Sequence, residues 1–316
     1  MPPIASVDVP ASTANLGSGF DAFAAALSLK LRAELHHGNE AGIVLNAHGE
    51  GAPGRDSDPE ENLLIRAFRE GMRTAHGSSA GSGSWRLEVS SMIPAARGLG
   101  SSAAAIVAGL LLGASVGRSA PPVDELFELA AELEGHPDNV AAALYGGFTL
   151  AVGGDAVSGE RGGATMLRRF RVPEAWMPVL FISGSQSRTG EMRAVLPDSV
   201  PRADAVRQAG RSALLATAIM TSDAGMLRRA MEDRLHQPYR LPRLPGVAAL
   251  IADAYEHGAA GAALSGAGPS VLAICDSPAV AHSVEKSWNA SGLAGMATRL
   301  RFDTAGARLS HAEAPA

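Results

Sequence analysis

Residues 94–110 read PAARGLGSSAAAIVAGL, with two glycines and two serines directly in front of an apolar, alanine-rich run. The alternating segment WRLEVSSMIP precedes it, so the chain must pass from a strand through a tight loop into a buried helix. The first backbone N–H groups of a helix have no partner inside it, and the helix dipole places partial positive charge there. Gly98 and Gly100 leave room for close approach of an anion, and Ser101 and Ser102 can cap the helix or face a cation. A plain glycine turn with a serine cap would read the same way on this stretch alone.

Lysine narrows the choice of anion loop. Of 27 basic residues only Lys30 and Lys286 are lysines, and neither follows the loop. A Walker-type P-loop needs a lysine at the position of Ser101 and is excluded. Gly98, Gly100 and Ala103 fit the spacing of a dinucleotide fingerprint, with Asp124 at a suitable distance, but that reading leaves the other glycine-rich segments unused. A net charge of −5 argues against a nucleic-acid surface. The single cysteine, Cys275, sits in VLAIC as a small buried residue and fits a reducing compartment. With no signal-like start and no apolar run long enough to span a bilayer, the expectation is a soluble cytoplasmic protein.

Strand and helix signals alternate along all 316 residues. IASVDVPAS reads as a strand into the loop NLGSGFD, and Leu27 to Leu35 alternate as a second strand. Asp58 and Pro59 are read as the start of a helix ending at Gly77, with Leu63, Leu64, Ala67, Phe68 and Met72 inward. Further helices are read over 101–116, after Asp124 as cap, and after Pro137. The turn-rich stretch 153–164 is the expected boundary. In the second half AALSGAGPSVLAIC reads as two strands around a glycine loop, and Ser277 as the cap of a late helix. The class is α+β in two domains, 1–160 and 161–316, each a sheet with helices on one side.

Three further segments carry polar residues on glycine-rich loops: PASTANLGSGFDAF, EGHPDNVAAALYGGF and LSGAGPSVLAI. Together with the 94–104 loop they resemble the GHMP kinase superfamily, in its order, and within it the homoserine kinases, to which PEENLL, EGHPDN and YGGF are similar. The resemblance covers about residues 7–274. One departure is Ala24, where the family pattern FDxxG has glycine.

The resemblance implies an N-terminal domain like domain 2 of ribosomal protein S5 and a ferredoxin-like C-terminal domain. ATP would lie on Pro94, Ala95, Ala96, Arg97, Gly98, Leu99, Gly100, Ser101, Ser102, Ala103 and Ala104. The reaction implied is phosphorylation of L-homoserine to O-phospho-L-homoserine, a step toward threonine. Asp21, with Asn15 beside it, would take the substrate ammonium; Thr189, Arg193 and Arg240 would take the carboxylate, for which a guanidinium is the best two-pronged donor. Asn139 is expected to position the reacting hydroxyl, and Asp138 is the one candidate base. Mg²⁺ would be held by Ser102 and Glu128, with Glu132 one turn on as the rival. His136 is expected to be structural. A homodimer is the family expectation. Open beside this are another GHMP kinase of shikimate or mevalonate type, an ATP-binding sensor without activity, and a dinucleotide-dependent oxidoreductase.

Overall fold

The computed structural model describes residues 2–51, 61–76, 83–117, 121–153 and 165–311. The chain runs β1 (Ala5–Ala14), β2 (Phe23–His37), β3 (Gly42–Gly49), α1 (Leu63–His76), β4 (Ser84–Ser91), α2 (Ser101–Ser115), α3 (Val123–Glu134), α4 (Asp138–Tyr145), β5 (Phe148–Val152) and β6 (Met166–Phe170). It continues β7 (Met177–Ser183), α5 (Thr189–Ala194), α6 (Arg202–Thr221), α7 (Ala224–Ala230), α8 (Gln237–Arg240), α9 (Val247–Glu256), β8 (Gly261–Leu264), β9 (Val271–Cys275), α10 (Pro278–Asn289), β10 (Gly295–Arg299) and β11 (Arg308–His311).

The long strand β2 organises the first sheet. Its second half pairs with β4, its first residues pair with β5, and its other edge pairs with β1. The sheet order is β11-β1-β2-β4-β3, extended by β5 and β6. The period-2 reading holds: Leu27, Leu31, Ala33 and Leu35 are all buried, and α2 and α4 pack on β1 and β2. Ala24 lies in a buried cluster of small residues with Ala14, Ala26 and Ala142. Its extra methyl relative to glycine is thus absorbed by alanine neighbours.

The second sheet, β10-β7-β9-β8, is antiparallel throughout. Strand, helices, two strands, helix and strand in that sheet order make the expected ferredoxin-like unit. Val179, Phe181, Val271 and Ala273 face the core shared with α9 and α10, whereas Leu180, Leu272 and Ile274 point the other way, into the core of the first sheet. Both faces are therefore buried, which is why VLAIC carries no polar alternation. Burial pushes the Cys275 thiol up to about 12.

Strands after residue 160 also return to the first sheet: β6 pairs with β5, and β11 with β1. A division of the chain at 160 does not coincide with the division of the sheets. The boundary loop itself, from 154 to 164, lies outside the described residues, as do Asp58, Pro59 and Gly77. Asn62 fills the cap position of α1, its Oδ1 accepting from Leu64 and Ile65 N–H. Asp124 is not a cap. Pro122 starts α3, and Asp124 in its first turn accepts from the Tyr145 hydroxyl at 2.9 Å. Ser277 does cap α10, accepting from Val280 N–H.

Helices α1 and α2 meet backbone to backbone. A Cβ on Gly113 would lie 2.0 Å from the Phe68 carbonyl oxygen, and one on Gly109 2.4 Å from that of Leu64. Ala is favoured over Gly in a helix by about 1 kcal/mol. At this contact overpacking, typically about 1–3 kcal/mol, wins. Gly113→Ala is expected to lower stability in urea denaturation; a gain would show that the two backbones do not touch there.

Candidate active site

Three chain segments that are remote in sequence meet at the start of α2. Ser12 N–H donates to the Leu99 carbonyl, and the Ser265 hydroxyl donates to the Gly98 carbonyl at 2.7 Å. Gly98 and Gly100 have φ of +75° and +66°. A Cβ on Gly98 would sit 2.1 Å from the Ser265 carbonyl oxygen, and one on Gly100 2.0 Å from the Ser12 hydroxyl. The glycines therefore serve contact between segments as much as access for an anion. Gly100→Val would disturb the fold and is not a clean probe of ligand binding. No side chain caps α2, neither serine serving as a cap, and Gly100, Ser101 and Ser102 at its start line the cleft.

The cleft, of about 260 Å³, is lined by Ala96, Gly98, Leu99, Gly100, Ser101 and Ser102 from this loop. Pro94, Ala95, Arg97, Ala103 and Ala104 are not on its wall; Ala103 and Ala104 are fully buried below it. Asn15, Asp21, Asp138, Asn139, Thr189, Arg193 and Arg240 all line it. Asn15 is a buried brace, its amide donating to the Gly266 carbonyl and its Oδ1 accepting from Asp21 N–H. Asn139 Oδ1 accepts from the Ser12 hydroxyl at 2.8 Å. Asp138 is buried, and its Oδ1 accepts from His136 Nδ1 and from Asn139 N–H. Burial pushes the His136 pKa down, but the Asp138 hydrogen bond and the charges of Asp138, Glu134 and Asp21 hold it above its ordinary value.

The expected metal ligand Glu128 is engaged away from the loop. Glu128 accepts from Thr165 N–H and Oγ1 and does not line the cleft; Glu132 is exposed. The acid at the loop is Glu134, whose Oε1 accepts from the Ser102 hydroxyl at 2.6 Å. Glu128 is six residues earlier on α3, about 9 Å along the axis and on another face. Burial holds the Glu134 carboxyl above the usual range. A legible signal existed: Glu134 opens EGHPDN, directly before the helix-ending Gly135 at φ +86°.

Arg193 forms a two-pronged pair with Asp21, at 2.7 and 3.0 Å. Arg240 is 1% exposed, yet no carboxylate among the described residues lies within ion-pair distance of it. Its Nε donates to the Met192 carbonyl and its Nη1 to His236 Nδ1. Burial first, and neighbouring Arg193 as well, push its pKa down, while Asp21 and more distant acids oppose this. His236 is fully buried, and burial lowers its pKa; its Nδ1 accepts from Arg240, and its Nε2–H donates to the Gly17 carbonyl. Phe20 stacks on His236, with both guanidinium groups over its ring.

Sequence reasoning also missed Asp233. Its buried carboxylate accepts from Gln208 Nε2 and from the N–H groups of Leu235, His236 and Gln237. It sets the start of α8 and hence the position of Arg240. The only sequence signal was an aspartate just before a short HQPYR turn.

The fold and this lysine-free loop are those of a GHMP kinase. Residues 62–147 match the GHMP kinases N terminal domain model, and residues 215–293 the GHMP kinases C terminal model. The chain belongs, within that superfamily, to the homoserine kinases. It is 40% identical over 306 residues to the homoserine kinase of Streptomyces avermitilis, covering 95% of this chain and 94% of that one. It is 41% identical over 271 residues to that of Moorella thermoacetica, covering 85% and 86%. The crystal structure of homoserine kinase from Cytophaga hutchinsonii superposes with a TM-score of 0.83 at 25% identity, over 97% of this chain and 98% of that one.

Removing the Asp233 carboxylate strips four donors of their acceptor at once. Hydrogen bonds to a charged group are worth about 1.5–3 kcal/mol each and do not add fully. Asp233→Ala is expected to cost about 3 kcal/mol or more in urea unfolding. A loss under about 1 kcal/mol would mean that α8 is set by packing alone.

Proposed function

We propose that this chain transfers the γ-phosphoryl group of ATP to the side-chain hydroxyl of L-homoserine, giving O-phospho-L-homoserine and ADP in threonine biosynthesis. The observation that carries the substrate reading is Arg240. A buried guanidinium on a cleft wall, without a carboxylate partner among the described residues, calls for an anionic ligand group. Beside it Asp21 and Arg193 offer one further charge of each sign. An α-amino acid presents the matching pair. Asp21 would take the ammonium, Arg193 and Arg240 the carboxylate, with Thr189 at the rim.

The unpaired N–H groups that open α2 suit the phosphate chain of ATP. Ser102 and Glu134 form a contiguous pair of hard oxygen donors, which fits a divalent cation that keeps phosphate and water as its other ligands. A bound Mg²⁺ would neutralise charge on the transferred phosphoryl oxygens. Asn139, fixed by Ser12, would orient the attacking hydroxyl. Asp138 has Oδ1 occupied by His136 and Asn139, so we read it as an orienting residue. Phosphoryl transfer runs through a loose transition state in which alignment and charge matter more than a strong base. We read the enzyme as cytoplasmic: the sole cysteine is a buried thiol, and no helix among the described residues is long and apolar enough to cross a membrane. The homodimer of the family expectation would be checked by light scattering.

The direct test is ADP release over homoserine, serine, threonine, shikimate and mevalonate, where homoserine should lead in kcat/KM. Preference for mevalonate or shikimate would overturn the substrate reading. Glu134→Gln should raise the Mg²⁺ needed for half-maximal rate by about tenfold or more, since even outer partners of metal ligands contribute about 10–100-fold. Glu128→Gln should leave that requirement unchanged. The reverse result would return the metal to Glu128. Arg240→Lys should raise the homoserine KM roughly ten- to a hundredfold, because a point charge cannot replace a two-pronged donor.

A further inference from the structure

Two of the charges assigned to the substrate hold each other in the structure. Arg193 Nη1 donates to Asp21 Oδ2 and Nη2 to Asp21 Oδ1, across 172 residues of sequence. Asp21 sits on the loop between β1 and β2, its N–H anchored to Asn15 Oδ1; Arg193 is in the last turn of α5. Their side chains are about one third and two fifths exposed, 33% and 43%. Such a pair is screened by water and contributes little by itself, so its partners can be exchanged at low cost. Arg240 behaves differently. It is buried and clamped by the Met192 carbonyl and His236 Nδ1, and it lies across the same Phe20 ring at 5.3 Å. The cleft thus combines one fixed cation with one exchangeable pair.

We propose that the Asp21–Arg193 ion pair is a specificity element that favours a zwitterion at this site: ammonium and carboxylate exchange into the pair together, and a ligand with one charge is disfavoured, by a few-fold beyond its missing contact, because it strips the remaining side chain of its partner. The inference rests on the reading that Asp21 meets the ammonium and Arg193 the carboxylate. It adds that the two contacts are coupled rather than independent. A zwitterion opens the pair and satisfies both halves. A carboxylate without an ammonium draws Arg193 away and leaves Asp21 unpaired beside a like charge. An ammonium without a carboxylate leaves Arg193 unpaired near Arg240 in the same way. Discrimination against single-charge ligands then exceeds the worth of the missing contact alone.

Coupling predicts a gain that needs the pair: Asp21→Asn should tighten 4-hydroxybutanoate while Arg193 is present and leave it unchanged in an Arg193→Gln background, whereas loss of like-charge repulsion alone would tighten it in both. The probes are 4-hydroxybutanoate, which is homoserine without its amino group, and 3-aminopropan-1-ol, which lacks the carboxylate. Asp21 has φ +55°, a region asparagine tolerates well, so Asp21→Asn should fold; circular dichroism checks this. Dissociation constants come from ligand-observed NMR titration. Asp21→Asn should weaken homoserine by roughly tenfold or more and tighten 4-hydroxybutanoate by about two- to fivefold over wild type, the scale of an exposed ion pair. Arg193→Gln provides the mirror case, tightening 3-aminopropan-1-ol while weakening homoserine. If homoserine weakens but neither single-charge probe tightens, the contacts are independent and the coupling is refuted while the substrate reading stands. If homoserine binds unchanged to both variants, the substrate reading itself fails, and the inference with it.

Discussion

The structure hinges on a backbone contact at the start of α2, where two glycines let three segments touch. Gly98 lies against the backbone of the Ser265 turn, and Gly100 against Ser12 at the end of β1 and Asn139 at the start of α4. One segment belongs to the first sheet, one to the helical layer, and one to the turn between β8 and β9 in the second sheet. Joining them there brings an uncapped helix start, an orienting amide and a carbonyl-rich turn to one cleft wall. Larger residues at either position would push the sheets apart and open the cleft before any ligand was involved.

Charge placement in the cleft follows from that joint. The acids and bases come from loops and short helices whose positions are set by buried hydrogen bonds: Asn15 to Gly266, Asp233 to the start of α8, His136 to Asp138. Each brace is a polar group out of water with its partners satisfied, which favours one arrangement strongly over its neighbours. The groups left for chemistry are the N–H groups of α2, the Ser102–Glu134 pair and the guanidinium of Arg240. All of them line the same cleft.

Much of the fold was legible. The period-2 alternation of β2, the alanine-rich α2 and the Ser277 cap all stand where local chemistry put them. The seven predicted substrate-side and catalytic positions, from Asn15 to Arg240, do converge on one cleft. Glu128 does not join them. Helical spacing alone offers several acids on α3, and only the orientation of the helix against the loop selects Glu134, at its last turn. Asp124 was misread because the cap position is Pro122, so the helix begins two residues earlier than the acid suggests.

Sequence by itself determined the local units, since glycine, proline and apolar periodicity act within a few residues on backbone torsion and burial. It also determined that the glycine loop before α2 carries no lysine. Tertiary structure alone decided which strands share a sheet, returning β6 and β11 to the first, because strand pairing depends on contacts that span the chain. It alone decided that both faces of the second sheet are buried, and that Asp21 and Arg193 grip each other. Local propensity carries no term for the distance between residues 21 and 193; that distance is the sum of every packing choice between them.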